Sequence, residues 1–191
     1  MSTEAFRAVL LDDAEVAALR AGDPATVVLD RRAAQRADLK ALRSDVPEEH
    51  AEPDTWVHYP WRRTVVGLLG RAAFRRLRLD RNRNKITAEE QERLSRLRIG
   101  VAGLSVGHAA AHTLALEGLC GELRLADFDA IDVSNLNRIP ATVLDLGVNK
   151  AVVAARRIAE LDPFVELAVA EDGVTADGVG AFLDGLDVLV D

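Results

Sequence analysis

The sequence has few of the features that mark secreted or membrane proteins. Its 191 residues contain one cysteine, Cys120, so no disulfide can form within the chain, and this fits a reducing compartment. No run of about 18 apolar residues occurs, so the sequence predicts no membrane span. The first residues are acidic where a secretory signal is basic, and they lack a small-residue cleavage pattern. We expect a cytoplasmic protein without a membrane partner.

The most basic segment has too few aromatic residues for a nucleic-acid surface. Between Trp61 and Arg83 the only acidic residue is Asp80, against eight arginines: Arg62, Arg63, Arg71, Arg75, Arg76, Arg78, Arg81 and Arg83. Phe74 is the one aromatic residue among them, which is too little for base stacking. The segment is typical of a solvated helix face, or of one that packs on an acidic surface. We therefore predict no nucleic-acid partner.

Charge divides the chain into two regions. Residues 1–98 hold 19 Lys and Arg against 16 Asp and Glu, whereas residues 99–191 hold 5 against 15. Together with the motifs below, this predicts an N-terminal extension over 1–79 and a second domain over 80–191. Apolar residues make up 49% of the chain, which is enough for a packed core.

The extension has a weak pattern that is mainly helical. Apolar spacing and helix-stop residues predict helices at 14–22, 31–43 and 64–78, a short strand at 25–30, and a polar linker with two prolines at 44–54. Thr87 with Glu90 three residues later forms a capping box and predicts a further helix.

From Arg98 onward, strand patterns alternate with helix patterns. Short apolar strands are expected at 98–102, 122–127, 165–170 and 186–190, with helices at 108–118 and 149–161 and a short helical stretch near 176–185. Strands that alternate with helices indicate a parallel sheet covered on both faces. The fold class is therefore α/β: a doubly wound, mainly parallel, Rossmann-like sheet that follows a helix-rich extension.

A strand, tight turn and helix at 98–118 predict a phosphate-binding loop. Gly103 and Gly107 allow a sharp turn and a close approach of backbone to phosphate, and the helix N-terminus offers free N–H groups. Asp127 ends the second strand, about where an acid binds a ribose hydroxyl. The pattern does not distinguish NAD from ATP, and Ser105 stands where the dinucleotide fingerprint has its middle glycine.

Other chemistries fit this segment less well. The letters G-L-S-V-G also spell a hydrolase nucleophile elbow, but no histidine follows at a useful distance. His108 and His112 have metal-ligand spacing on one helix, yet neither a glutamate next to His108 nor a third ligand is evident. They are expected to be core or capping histidines, and Cys120 is expected to be a packing residue. No metal ligand is predicted.

The segment after the second strand favours a triphosphate. A dehydrogenase usually passes from its ribose-binding acid directly into a crossover helix. Here an irregular loop carries Asn135 and Arg138, and Lys150 opens the next helix. Two cations and an amide at the carboxyl ends of the strands suit a triphosphate better than a dinucleotide.

These motifs resemble the ThiF/MoeB/ubiquitin-activating family. In that family the second strand ends D-x-D and continues into S-N-L-x-R, which here is Asp127-Phe128-Asp129 and Ser134-Asn135-Leu136-Asn137-Arg138. A lysine at the next helix matches Lys150. An arginine ahead of I-T-x-E-E-Q matches Arg81, Ile86-Thr87 and Glu89-Glu90-Gln91. The resemblance covers about residues 80–191.

The resemblance implies an ATP-dependent adenylyltransferase. Gly103, Ser105, Gly107, Asp127, Asp129, Asn135, Arg138 and Lys150 would bind ATP, with Asp127 on the ribose and Asn135, Arg138 and Lys150 on the phosphates. Arg81, Arg138 and Lys150 would be catalytic, Arg81 as an arginine finger reaching a partner subunit. The cofactors would be ATP and Mg²⁺. The substrate would be the carboxylate at the C-terminus of a ubiquitin-like sulfur-carrier protein, and the protein would be a homodimer.

Three departures from the family pattern indicate a divergent member. The loop is one residue shorter than G-x-G-G-x-G and has Ser105 in place of a glycine. Its hydroxyl could bond the phosphates, or its Cβ could crowd them. The chain ends at Asp191, before the family's magnesium-binding aspartate, and the interval from Arg138 to Lys150 is about one residue short. Alternatives are a nicotinamide- or flavin-dependent oxidoreductase and a nucleotide-binding module without turnover.

Overall fold

The computed structural model describes residues 6–42 and 52–191, which form two compact units. The N-terminal unit is Ala8–Lys85. The C-terminal unit is Ile86–Asp191 together with Phe6 and Arg7, and Phe6 is buried in the core of that unit. Among the described residues, no helix combines the length and apolar character needed to cross a membrane.

The described residues of the N-terminal unit form a mixed four-stranded sheet and three α-helices. In chain order these are β1 (Val9–Leu11), α1 (Asp13–Gly22), β2 (Val27–Asp30), α2 (Arg32–Ala41), β3 (Thr55–Tyr59), β4 (Thr64–Leu68) and α3 (Arg71–Leu79). The strand order is β1-β3-β4-β2, with only the β2–β4 pair parallel. The three helices agree with the predicted helix-rich region. Of the four strands, only β2 was predicted from the sequence, and the other three were not.

The prediction of one helix over 64–78 is wrong in its first part. Thr64–Leu68 is strand β4, which pairs with β2 on one side and β3 on the other. β-Branched residues in this stretch suit a strand, and the fully buried Val65 packs with Val16 of α1 and Trp56 of β3. The helix begins at Arg71, after Gly70. The predicted linker lies outside the described residues over 44–51.

The C-terminal unit is a doubly wound parallel sheet, as predicted. It contains α4 (Ala88–Leu94), β5 (Arg98–Ala102), α5 (Gly107–Leu116), β6 (Glu122–Ala126), α6 (Lys150–Leu161), β7 (Glu166–Ala170), α7 (Val179–Leu183) and β8 (Val188–Val190). The strand order is β7-β6-β5-β8, and every pair is parallel. The predicted capping box is present at α4, because Thr87 and Glu90 each accept a hydrogen bond from the other's amide.

Helices cover both faces of this parallel sheet. Fully buried side chains on one face, Val101, Leu123 and Leu125, pack with α5 and α6 in a single core. On the other face, a Cβ added at Gly100 would lie 2.5 Å from Leu186 and 3.2 Å from Phe182 of α7. Because all four strands are parallel, their carboxyl ends lie at one edge, and the turns that leave this edge hold the site described next.

Candidate functional site

The turn after β5 has the shape of an anion-binding loop. Gly103 has φ +76°, a left-handed conformation that glycine adopts without strain. Gly107 begins α5 so close to the sheet that an added Cβ would lie 2.7 Å from Val101 Cγ1. Within the described ranges, the amide N–H groups of Ser105 and Val106 donate to no protein acceptor. Residues 103–107, hereafter the glycine loop, therefore present free donors at a helix N-terminus.

Asp127 fastens the glycine loop to the end of β6. Its Oδ2 accepts a hydrogen bond of 2.6 Å from the Leu104 amide, and its Oδ1 accepts one of 2.8 Å from the Asp129 amide. The residue is 7% exposed. Each carboxylate oxygen keeps a further lone pair, so the carboxylate can also accept from a ligand hydroxyl. The structure thus places Asp127 beside the loop, where a ribose-binding acid is expected.

Lys150 supplies a buried positive charge at the same edge. Its Nζ lies 2.6 Å from Asp129 Oδ2 and 3.3 Å from Ser105 Oγ. The Lys150 side chain is 4% exposed, whereas that of Asp129 is 52% exposed. One of the three Nζ protons remains for an anion bound at the loop. The low exposure strengthens any contact of this ammonium with a phosphate.

Asn149 holds the strand ends together, and the sequence analysis missed its role. Its Oδ1 accepts from the Ala151 and Val152 amides and caps α6. Its Nδ2 donates to the carbonyls of Asp127 and Glu171, which follow β6 and β7. An asparagine directly before a helix is a known N-cap signal, so the capping half could have been predicted. The two carbonyl contacts depend on the fold.

The remaining predicted residues are not joined to this cluster. Asn135 is buried, and its Oδ1 accepts from the Asp132 amide in a 3₁₀ turn. Arg138 is exposed, with Nη1 donating to the Ser134 carbonyl and to Asn137 Oδ1. In the described parts of the chain, Arg138 makes no hydrogen bond or ion pair with the glycine loop.

Arg81 belongs to the N-terminal unit, where it is exposed on the 3₁₀ helix Asp80–Asn84. The structure thus brings together six of the predicted residues of the C-terminal unit. These are Gly103, Ser105, Gly107, Asp127, Asp129 and Lys150.

A metal site is not built by these residues alone. Among residues 6–42 and 52–191, no group of three His, Cys, Asp or Glu side chains is placed to hold a metal ion. Mg²⁺ in nucleotide sites takes one or two carboxylates and several phosphate or water oxygens. Asp127 is engaged with two amides and Asp129 with Lys150. The described residues therefore form no Mg²⁺ site by themselves, and an ion here would need phosphate and water oxygens to complete its ligands.

His108, next to the glycine loop, is a buried neutral histidine. It is fully buried, and neither ring nitrogen has a hydrogen-bond partner among the described residues. Burial lowers the pKa of His108 to about 4. His112 and Arg157 also lower it, and Asp145 raises it. This placement agrees with the expected core histidine.

We predict that His108 makes the C-terminal unit sensitive to acid. Below the ordinary pKa of 6.5, the unfolded chain binds a proton that folded His108 does not bind. The free energy of unfolding should therefore fall by about 3 kcal/mol as the pH drops from 6.5 to the folded pKa of about 4. Urea unfolding over this range should show the loss, and His108→Leu should remove it. His58, in the N-terminal unit, also has a pKa lowered by burial, but by less, so His58→Gln should leave most of the loss in place. Equal pH dependence with and without His108 would contradict the prediction.

Comparison with known proteins places these features in a family. An uncharacterised Mycobacterium tuberculosis protein, MT1398, is 52% identical over 181 residues, 94% of this chain and 25% of that protein. A probable molybdopterin-synthase adenylyltransferase of Porphyra purpurea is 33% identical over 111 residues, 56% of this chain and 28% of that protein. The chain thus spans roughly a quarter of the length of these relatives.

A solved structure shares the fold of the C-terminal unit. The Escherichia coli tRNA N6-threonylcarbamoyladenosine dehydratase TcdA, solved in complex with ATP, superposes with a TM-score of 0.56 at 31% identity. The match covers 60% of this chain and 48% of that one. The model of the ThiF family matches residues 79–191, more than half of the chain. The chain therefore belongs to the ThiF family.

Proposed function

We propose that this chain binds ATP at the glycine loop and takes part in adenylylation of a carboxylate. One observation carries the proposal: unpaired amides of the loop, the Asp127 carboxylate and the buried Lys150 ammonium converge at one sheet edge. Free amides and a buried cation suit a polyphosphate, and an acid at the end of the second strand suits a ribose. The ATP complex of TcdA, a protein with the same fold, supports this choice of nucleotide.

The proposed chemistry is attack of a carboxylate oxygen on the α-phosphorus of ATP. The new bond is an acyl phosphate to AMP, and the bond that breaks releases pyrophosphate. Negative charge gathers on the phosphate oxygens in the transition state, and the loop amides and Lys150 offset it from fixed positions. Asp127 would hold the ribose, while Asn135 and the exposed Arg138 would contact the phosphates.

The substrate and the assembly are further parts of the proposal. The name of the Porphyra relative, a molybdopterin-synthase adenylyltransferase, supports a sulfur-carrier protein whose C-terminal carboxylate is activated. The proposal includes a homodimer in which Arg81 reaches the triphosphate of the partner subunit, and ATP supplied as its magnesium complex. It also includes an N-terminal extension over 1–79 ahead of the ATP-binding domain over 80–191.

Thermal-shift measurements test the nucleotide part of the proposal. The chain is compared with ATP-Mg, ADP, NAD and NADP, because a ligand that binds the folded state raises the unfolding temperature. We expect ATP-Mg to give the largest rise, and Asp127→Ala and Arg138→Ala to reduce it strongly. A preference for NAD that is unaffected by Arg138→Ala would instead favour an oxidoreductase.

Pyrophosphate exchange then tests the reaction. We expect labelled pyrophosphate to enter ATP in the presence of a carrier with a free C-terminal carboxylate, and not when that carboxylate is amidated. ATP binding without exchange in the longest natural form of the protein would favour a nucleotide-binding module without turnover.

A further inference from the structure

The glycine loop is tied into a closed ring of hydrogen bonds. Leu104 donates to Asp127, whose other oxygen accepts from Asp129. The Asp129 carboxylate accepts from Lys150, and Lys150 also donates to Ser105 Oγ at 3.3 Å. Ser105 follows Leu104 directly in the chain, so the ring closes. It fixes the loop to both β6 and the start of α6.

Ser105 closes this ring at a position where the resemblance predicts a glycine. With a glycine at this position, Lys150 would keep only its bond to Asp129 among the side chains that the structure describes. The Ser105 oxygen accepts from Lys150, so its own O–H proton remains free to donate. The hydroxyl of Ser105 therefore has a bonding role within the ring and a proton left for a further acceptor.

Asp127 has a part in this ring that does not involve a ribose. Both of its oxygens accept main-chain N–H groups, one of them from the loop itself. Replacing it by asparagine would leave one acceptor oxygen for two backbone donors and turn an N–H₂ group toward the second. The glycine loop would then lose the hydrogen bond to Asp127, which is one of the two side-chain hydrogen bonds that hold it in place.

We infer that Ser105 and Asp127 are positioning residues for the triphosphate, and that they preform the loop before any base or ribose binds. The inference rests on the proposed nucleotide function and deepens it. The inference separates two roles of Asp127. Holding the loop affects the affinity for any polyphosphate, whereas holding a ribose affects only the affinity for nucleosides and nucleotides. Ser105 is expected to affect the affinity for polyphosphate alone.

The test is calorimetric titration of the chain with inorganic tripolyphosphate and, separately, with adenosine. We expect Ser105→Ala and Ser105→Gly to weaken tripolyphosphate binding about tenfold and to leave adenosine binding unchanged. Ser105→Thr, which keeps the hydroxyl, should retain most of the affinity. Asp127→Asn should weaken both ligands.

Asp172→Asn is the matched control for Asp127→Asn. Asp172 is an exposed acid that follows β7 and is outside the ring, so its replacement removes the same charge without opening the ring. Unfolding temperatures of all variants identify any that fail to fold. Unchanged tripolyphosphate affinity in folded Ser105→Ala and Asp127→Asn would overturn the inference. So would the absence of tripolyphosphate binding by the unchanged chain when ATP binds. If neither ATP nor tripolyphosphate binds, the proposed function fails as well.

Discussion

Lys150→Met is expected to lower ATP–pyrophosphate exchange about a hundredfold or more, and ATP affinity about tenfold. Methionine keeps an unbranched chain of similar length at this buried position, so the change removes mainly the charge and its hydrogen bonds. The exchange rate should fall more than the ATP affinity. This is because a fixed cation stabilises the phosphate oxygens most in the transition state, where their negative charge is greatest.

The expected effect of this change on folding is small. Asp129, the carboxylate left behind, is 52% exposed and stays hydrated after the ammonium is removed. Breaking a fully buried pair would instead leave an uncompensated charge in the interior and cost several kcal/mol, about 3–5 in typical cases. Urea unfolding of Lys150→Met measures this difference directly.

Arg96→Ala is the matched control for the loss of one positive charge in the C-terminal unit. Arg96 pairs with Glu92 at 3.0 Å on the surface, and its side chain is 76% exposed. Exposed pairs of this kind contribute about 1 kcal/mol or less. We expect exchange and ATP affinity to be unaffected by Arg96→Ala. Equal exchange rates in Lys150→Met and the unchanged chain would show that Lys150 has no catalytic part.

The sequence predicted the C-terminal fold well because each element there has its own local signal. The helix that contains Lys150 is followed by the stop signal Asp162-Pro163, and α6 occupies Lys150–Leu161, within one residue of the predicted 149–161. The strands are short apolar runs between such signals, and alternation with helices fixes their parallel arrangement. Local chemistry was sufficient for this part of the chain.

The N-terminal sheet was harder to predict because its strands depend on distant partners. Val65 in β4 is fully buried in a cluster with Val16 of α1 and Trp56 of β3, and the helix-like spacing of 64–78 contains no sign of these distant partners. Strand preference varies with such surroundings more than helix preference does. The misread segment is therefore the one in which tertiary pairing decides the local structure.

The candidate site was also predicted only in part, because sequence spacing gives its residues but not the register of its strands. Motif spacing placed Gly103, Asp127 and Lys150 at one sheet edge. The bond from the Leu104 amide to Asp127 required the pairing of Ala102 with Ala126, which sets the two strand ends level. A shift of one residue would turn each side chain to the opposite face. Spacing predicts which residues meet, and register determines which atoms touch.

Gly107→Ala is expected to destabilise the C-terminal unit. The new Cβ would lie 2.7 Å from Val101 Cγ1, on a fully buried β-branched side chain that has little freedom to rotate. Overpacking of this kind costs about 1–3 kcal/mol, so we expect the unfolding temperature to fall by roughly 10 °C. Relief of the contact would move α5 away from β5 and carry the loop amides with it, so ATP affinity should fall too.

Gly180→Ala distinguishes crowding from the general effect of removing a glycine. Gly180 lies on α7, and an added Cβ would meet no atom within 4 Å. Alanine favours helices over glycine by about 1 kcal/mol, so this control should be neutral or stabilising. If Gly107→Ala and Gly180→Ala unfold at the same temperature, the contact between α5 and Val101 does not set the position of the loop. If only Gly107→Ala is destabilised and loses ATP, close packing of helix on strand positions the phosphate donors.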